Sequence, residues 1–255
     1  MKHIKQFESF SNLNKEVAES ILRTNIKKYL EENCSNFLNI SKMSDKRQSW
    51  SIPSLNLWRC SSAPNGVEVL PGVWRVSSNL NRNPVDMPES THIKLNDEFI
   101  KKFGWSVRNG IFCLKDKLSA QRYSLIYSEK YNKRFKIYLF IPVDDFKYCW
   151  SPKYNDLYTE ILGYPAKFSY GFTSTTSIAG YKDKIESIVG DKEIKEIVST
   201  YKDTDLEKSG PNDYGYIYDQ CEISINCKEY LLIDPFSYTS SSSTDAQGGY
   251  DFWNW

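Results

Sequence analysis

The run RFKIYLFIPV at residues 134–143 sets apolar side chains side by side from Ile137 to Ile141 before Pro142. A short, uninterrupted apolar run rich in β-branched and aromatic residues reads as a strand buried on both faces, hence a central one, and the proline ends it. Other elements take their places around it. Upstream, GIFCL (110–114) reads as a strand and residues 119–127 as a short helix. Asn96 is placed to cap a helix bearing Phe99, Ile100 and Phe103 and stopped by Gly104. VEVLPGVWRVSS (67–78) alternates and predicts strands at 67–70 and 73–77, broken by Pro71 and Gly72. Downstream, residues 183–201 carry apolar side chains at helical spacing with Gly190 as a break. YGYIYDQCEISI (214–225) and KEYLLIDP (228–235) then predict two strands forming a hairpin around residues 226–228.

At the N-terminal end, EVAESILRTNIKKYL (16–30) aligns Val17, Ala18, Ile21, Leu22, Ile26, Tyr29 and Leu30 on one stripe, which predicts an amphipathic helix packed on the core. Residues 35–64 are rich in Ser, Asn and Pro and read as a linker or long loop. The expected organisation is an N-terminal helical segment and linker over 1–64, followed by a main domain over 65–255. Strands bunched in two groups with helices before and between them predict α+β rather than a regular βαβ alternation. The tail TSSSSTDAQGGYDFWNW (239–255) is low-complexity serine followed by aromatics.

Composition narrows the chemistry. Six cysteines occur with no CxxC pair, and two histidines, His3 and His92, cannot supply a His-rich metal site, so no metal is expected. No GxGxxG or GxxxxGK[ST] motif is present, which leaves the common dinucleotide- and phosphate-binding loops unsupported. No stretch has the length and apolarity of a membrane span or a signal peptide, so a cytoplasmic location without membrane partners is expected. Net charge is +1, yet residues 94–136 hold 11 Lys and Arg against 4 Asp and Glu. That excess suits an anionic ligand, although a solvated helix face explains such a run more often.

Three segments, in chain order, resemble the mono-ADP-ribosyltransferase superfamily. GVWRVSS is similar to its apolar first strand ending in arginine, here Arg75. GFTSTTS is similar to its Ser-Thr-Ser motif, with Ser174, Thr175 and Thr176 beside Phe172. YDQCEISI is similar to its catalytic strand, with Gln220 two residues before Glu222 as in the QxE variant. RNGIFCLKDKLSAQRY also resembles the poly(ADP-ribose) polymerase-like branch, in which Tyr123 would lie under the nicotinamide; Arg75 stands where that branch carries histidine. The resemblance implies a split β-sandwich with an N-terminal helical segment, NAD as substrate and no metal.

The residue types fit that chemistry. Cleavage of the nicotinamide–ribose bond builds positive charge on the sugar, and a fixed carboxylate stabilises it. On the resemblance, Glu222 supplies that carboxylate, Gln220 orients the acceptor and Ser174 holds Glu222. Arg75 would grip the pyrophosphate through its fork of donors. Thr175, Thr176, Phe172 and Tyr123 would line the NAD site, with Trp105 another ring able to stack. The polar stretch 75–92 adds Arg82, Asp86 and His92 as contacts to NAD or target. Each has a plainer reading: Arg75 as a surface ion pair, FTSTTS as a strand end and helix cap, Glu222 as the wet face of a strand.

The expected reaction is transfer of ADP-ribose from NAD to a macromolecule, with RNA or DNA slightly preferred over protein as acceptor. A toxin of a toxin–antitoxin or antiphage system, with an antitoxin partner, or a phage effector, is the expected setting. Two rivals stand beside it: a catalytically inert interaction protein, and an NAD glycohydrolase that gives ADP-ribose to water.

Overall fold

A computed structural model describes residues 15–42, 55–81, 89–115, 117–153, 157, 191–206 and 222–235. These residues form an α+β structure of eight strands and five helices. Helix α1 (Lys15–Asn33) runs into α2 (Ser35–Lys42); strands β1 (Leu57–Ser61), β2 (Val67–Leu70) and β3 (Val73–Ser77) follow. Next come α3 (Glu89–Phe103), a 3₁₀ turn (Val107–Asn109), β4 (Ile111–Leu114) and α4 (Lys117–Tyr131). The set closes with β5 (Lys136–Pro142), β6 (Lys147–Trp150), α5 (Asp191–Thr200), β7 (Glu222–Asn226) and β8 (Glu229–Ile233).

All pairings are antiparallel, in the order β2-β3-β8-β5-β1-β4-β7-β6. The run that predicted a central strand is β5, buried from Ile137 to Pro142 and flanked by β8 and β1. Its neighbour β1 lies inside the stretch expected to be a linker, and α2 occupies another part of it. The strand LWRCS is short and sits among polar residues, so its pattern is weak. Pairing all along β5, from Leu57 with Phe140 to Ser61 with Lys136, outweighs local propensity.

The hairpin expected around residues 226–228 does not form. Both strands exist, but β7 pairs with β4 and β6, while β8 pairs with β3 and β5. Each is buried on both faces over most of its length, and such a strand needs partners on both sides. This connection shapes the sheet. Three virtual bonds join Asn226 to Glu229, a reach of about 11 Å, whereas four strand spacings across a flat sheet are about 19 Å. The sheet is therefore strongly curled, bringing the end of β7 to the start of β8. Charge coupling agrees: burial raises the Tyr230 phenol, and Cys113, three strands away, is near enough to raise it further.

The core fills both sides of this curl. Leu57, Phe140, Ile223 and Ile225 are wholly buried, each such side chain stabilising by about 1.5–3 kcal/mol. Ile26, Leu30 and Phe37 of the helical segment join the same cluster. Asp144 ties that segment to the sheet by accepting the Asn36 N–H at 3.0 Å and the Ser35 hydroxyl at 3.2 Å. A second cluster joins Leu95 and Phe99 of α3 to Ile194, Ile197 and Val198 of α5 and to Cys149 of β6. Residues 183–190, expected to be helical, lie outside the described residues, whereas 191–200 are helix. Among the described residues no helix is long and apolar enough to cross a membrane.

Candidate functional site

Glu222 opens β7, opposite Leu114 at the end of β4. Alternation turns Glu222 and Ser224 to one face and Ile223 and Ile225, both wholly buried, to the other. The carboxylate meets Arg108: Nη1 lies 3.4 Å from Glu222 Oε1, and the side chains are 5% and 17% exposed. Arg108 and Glu222 form the least exposed ion pair among the described residues.

Arg108 sits in the 3₁₀ turn, and local sequence explains how the turn is held. Gly110 closes it, its N–H donating to Val107 O at 3.0 Å. A Cβ at position 110 would stand 2.9 Å from Ile225 O and 3.0 Å from Val107 O, so only glycine lets the turn press on β7. Asn96 holds the turn from α3, its Oδ1 accepting the Arg108 N–H at 2.8 Å. This corrects the expected role of Asn96: α3 begins seven residues earlier, at Glu89, and Asn96 is buried mid-helix. His92, one turn before Asn96 and also buried, joins the cluster. Its Nε2 lies 3.0 Å from Asn109 Oδ1 and 3.1 Å from Asn96 Nδ2, and Asn96 Nδ2 is 3.3 Å from Asn109 Oδ1. With Nε2 protonated, His92 and Asn96 both donate to Asn109.

The Arg108 guanidinium also lies over the Phe112 ring, 4.6 Å from its centroid. Cys149, opposite Ser224 on β6, borders the pair: burial pushes its thiol up, Glu222 and Asp203 push the same way, and Lys102 and Arg108 oppose them.

The other expected site residues stand on other elements. Arg75 lies on β3, beside β8, whose first residue is three positions beyond the last of β7. Its guanidinium bonds Glu229 on β8, and Tyr29 (3.4 Å) and Asn33 (3.2 Å) on α1. The bonds to Glu229 and then Tyr29 push its pKa further up. Tyr123 is on α4 with its ring against Tyr127, 5.9 Å between centroids. Trp105 is buried in the cluster between α3 and α5. Gln220, Phe172, Ser174, Thr175, Thr176, Arg82 and Asp86 lie outside the described residues.

Sequence reasoning passed over Arg108, Asn96 as a polar partner, and Asn109. WSVRNG offers one weak signal, a lone charge between a core valine and a glycine. Nothing local tells that the charge turns inward, since its partner is 114 residues away.

Among the described residues no group of three or more His, Cys, Asp or Glu could hold a metal ion. Comparison with protein-family models, with characterised proteins and with solved structures finds no match.

Proposed function

We propose that the chain is an NAD-dependent mono-ADP-ribosyltransferase in which Glu222 is the carboxylate at the reacting ribose. The observation that carries the proposal is Glu222 itself: a 17% exposed carboxylate at the head of a buried strand, held by an arginine that solvent hardly reaches. The curled antiparallel sheet of an α+β chain, with a helical segment docked on it, is compatible with a split β-sandwich. The motif resemblance adds Gln220 and Ser174 beside Glu222, with Arg75, Thr175, Thr176, Tyr123, Phe172 and Arg82 as proposed NAD contacts. Of these residues, Glu222 is the one that forms the pair with Arg108.

In the reaction the ribose C1′–nitrogen bond breaks and nicotinamide leaves with the bonding electron pair. Positive charge spreads over C1′ and the ring oxygen, where a fixed carboxylate stabilises it. A nucleophilic nitrogen or oxygen of the acceptor then bonds to C1′ and gives up its proton. A nucleic-acid base is the acceptor we favour, because residues 94–136 are basic and carry aromatic side chains on which bases stack. A toxin or phage-conflict setting, with an antitoxin partner and a cytoplasmic site of action, is part of the same proposal.

The test is incubation of the chain with NAD labelled in the adenylate and separate pools of cell RNA, DNA and protein. Label in one macromolecular pool, dependent on Glu222, supports the transferase; free ADP-ribose alone indicates a glycohydrolase. One feature favours an inert interaction protein instead. Helix α4 exposes Leu118 (50%), Leu125 (70%) and Ile126 (55%) together, as a partner-binding helix does. That reading expects no release of nicotinamide and no effect of Glu222→Gln.

A further inference from the structure

Arg108 is more than a counter-ion, and the reason lies in what holds it. Buried ion pairs that serve stability alone have their donors satisfied, because removing charges from water is repaid only by good geometry and complete hydrogen bonding. Arg108 does not meet that standard. Its contact with Glu222 involves one nitrogen at 3.4 Å, longer than the 2.7–2.9 Å or so typical of charge-assisted bonds. Its Nε is buried without a hydrogen-bond partner. Two locks that do not involve Glu222 fix it instead: the main-chain N–H bound to Asn96 Oδ1, and the guanidinium lying over Phe112. Asn96 and His92 in turn both donate to Asn109 Oδ1. The Arg108 backbone is thus fixed by Asn96 and its guanidinium by Phe112.

From this arrangement we infer that Arg108 is the positioning residue of the Glu222 carboxylate, with Asn96, His92 and Asn109 as the frame that aims it. The inference rests on the transferase reading above. Glu222 is the more open partner, so a ribose arriving at the pair meets the carboxylate before the guanidinium. Arg108 acts on the reaction only through Glu222. Loss of the arginine then leaves NAD affinity near normal while the carboxylate strays from the ribose. A displacement of about 1 Å at a reacting group costs on the order of 100-fold in rate.

The experiment uses the full chain, NAD as substrate and the acceptor pool that takes up label, with nicotinamide release followed by steady-state kinetics. Arg108→Met keeps a stem over Phe112 and removes the charge. We expect kcat to fall about 100-fold with KM for NAD within about threefold. Arg108→Lys should recover part of the loss, because the charge returns without the planar fork. Should Arg108→Met fail to fold, Asn96→Ala decides: it releases the turn while keeping both charges, and kcat should fall at constant KM. A folded Arg108→Met, or in its place Asn96→Ala, turning over as fast as wild type while Glu222→Gln is inactive overturns the role of Arg108 and leaves the transferase standing. Wild-type chain that neither binds NAD nor releases nicotinamide with any pool overturns both.

Discussion

At the scale of single residues, the pair at the head of β7 ties the proposed role of Glu222 to stability. With Arg108 5% exposed against Glu222, neutralising the carboxylate strands a guanidinium in the interior. Breaking a buried pair from one side costs about 3–5 kcal/mol. Glu222→Gln is therefore expected to be inactive and also less stable by an amount at the low end of that range, given the long contact. Urea unfolding of Glu222→Gln, Arg108→Met and the double variant measures this, and the double variant should lose less than the two single losses added together. Arg75 carries the opposite lesson. That an arginine stands on this strand could be read from GVWRVSS, but not whom it would meet, because Glu229 is 154 residues away. Glu229 has its pKa lowered, first by the bond from Arg75. A carboxylate whose folded pKa is depressed stabilises the fold above its unfolded pKa, and loses that contribution as pH falls through the folded one. Glu229→Gln should hence weaken the protein at pH 7, by under about 1 kcal/mol for so exposed a pair, and make no difference in strong acid. Equal losses at pH 7 and in strong acid would show that the ion pair is not what Glu229 contributes.

At the scale of elements, what was legible followed from periodicity, and what was not followed from partners distant in sequence. Helix α1, strands β2, β3 and β4 and the central β5 fall where their patterns place them. Asn96 looked like a cap because Asn commonly starts helices, yet the helix runs through it and spends its amide on Arg108. Strand β1 was hidden in a polar stretch because five residues carry too little alternation to be seen alone. The docking of α3 on α5 shows a partner no pattern announces: Lys102 Nζ donates to the carbonyls of Val198 (3.0 Å), Ser199 (2.7 Å) and Tyr201 (2.6 Å). These are end-of-helix oxygens at the negative pole of the α5 dipole, where a cation contributes about 0.3–1 kcal/mol, more when its bonds are partly buried. Lys102→Met, which removes the ammonium and keeps an unbranched stem, is expected to cost about 1–2 kcal/mol. Amide exchange should localise the loss to residues 197–201. Uniform loss across the sheet would mean that α5 is held by its apolar face alone.

At the scale of the whole molecule, the curl of the sheet is the feature the sequence concealed most fully. Two apolar strands separated by Cys227 and Lys228 read as a hairpin in any local analysis, and only competition from β3, β4, β5 and β6 for their edges separates them. Burial in this sheet leaves a chemical signature in the cysteines. Burial pushes the Cys34 thiol up to about 12 and those of Cys60 and Cys227 to about 11, and it raises Cys113 and Cys149 as well. Arg59 opposes the rise at Cys60 on its own strand, at Cys113 on β4 and at Cys227 beyond β7. A single guanidinium reaches all three because β4 lies next to β1 and β7 next to β4. Thiolate is the form that reacts with iodoacetamide, and a thiol near pKa 11 holds only about one part in a thousand of it at pH 8. These five cysteines should consequently alkylate on the order of a hundredfold more slowly in the native chain than in urea. Cys60 is the discriminating one, being half-buried where the other four are buried. Its protection stems more from desolvation than from lack of access, so native labelling at Cys60 should rise about tenfold for each pH unit up to 10, while Cys113 and Cys149 stay unlabelled. Peptide mapping after timed alkylation reads this directly. Fast labelling of Cys60 at pH 8, or labelling of all five in step, would mean that the sheet opens under native conditions.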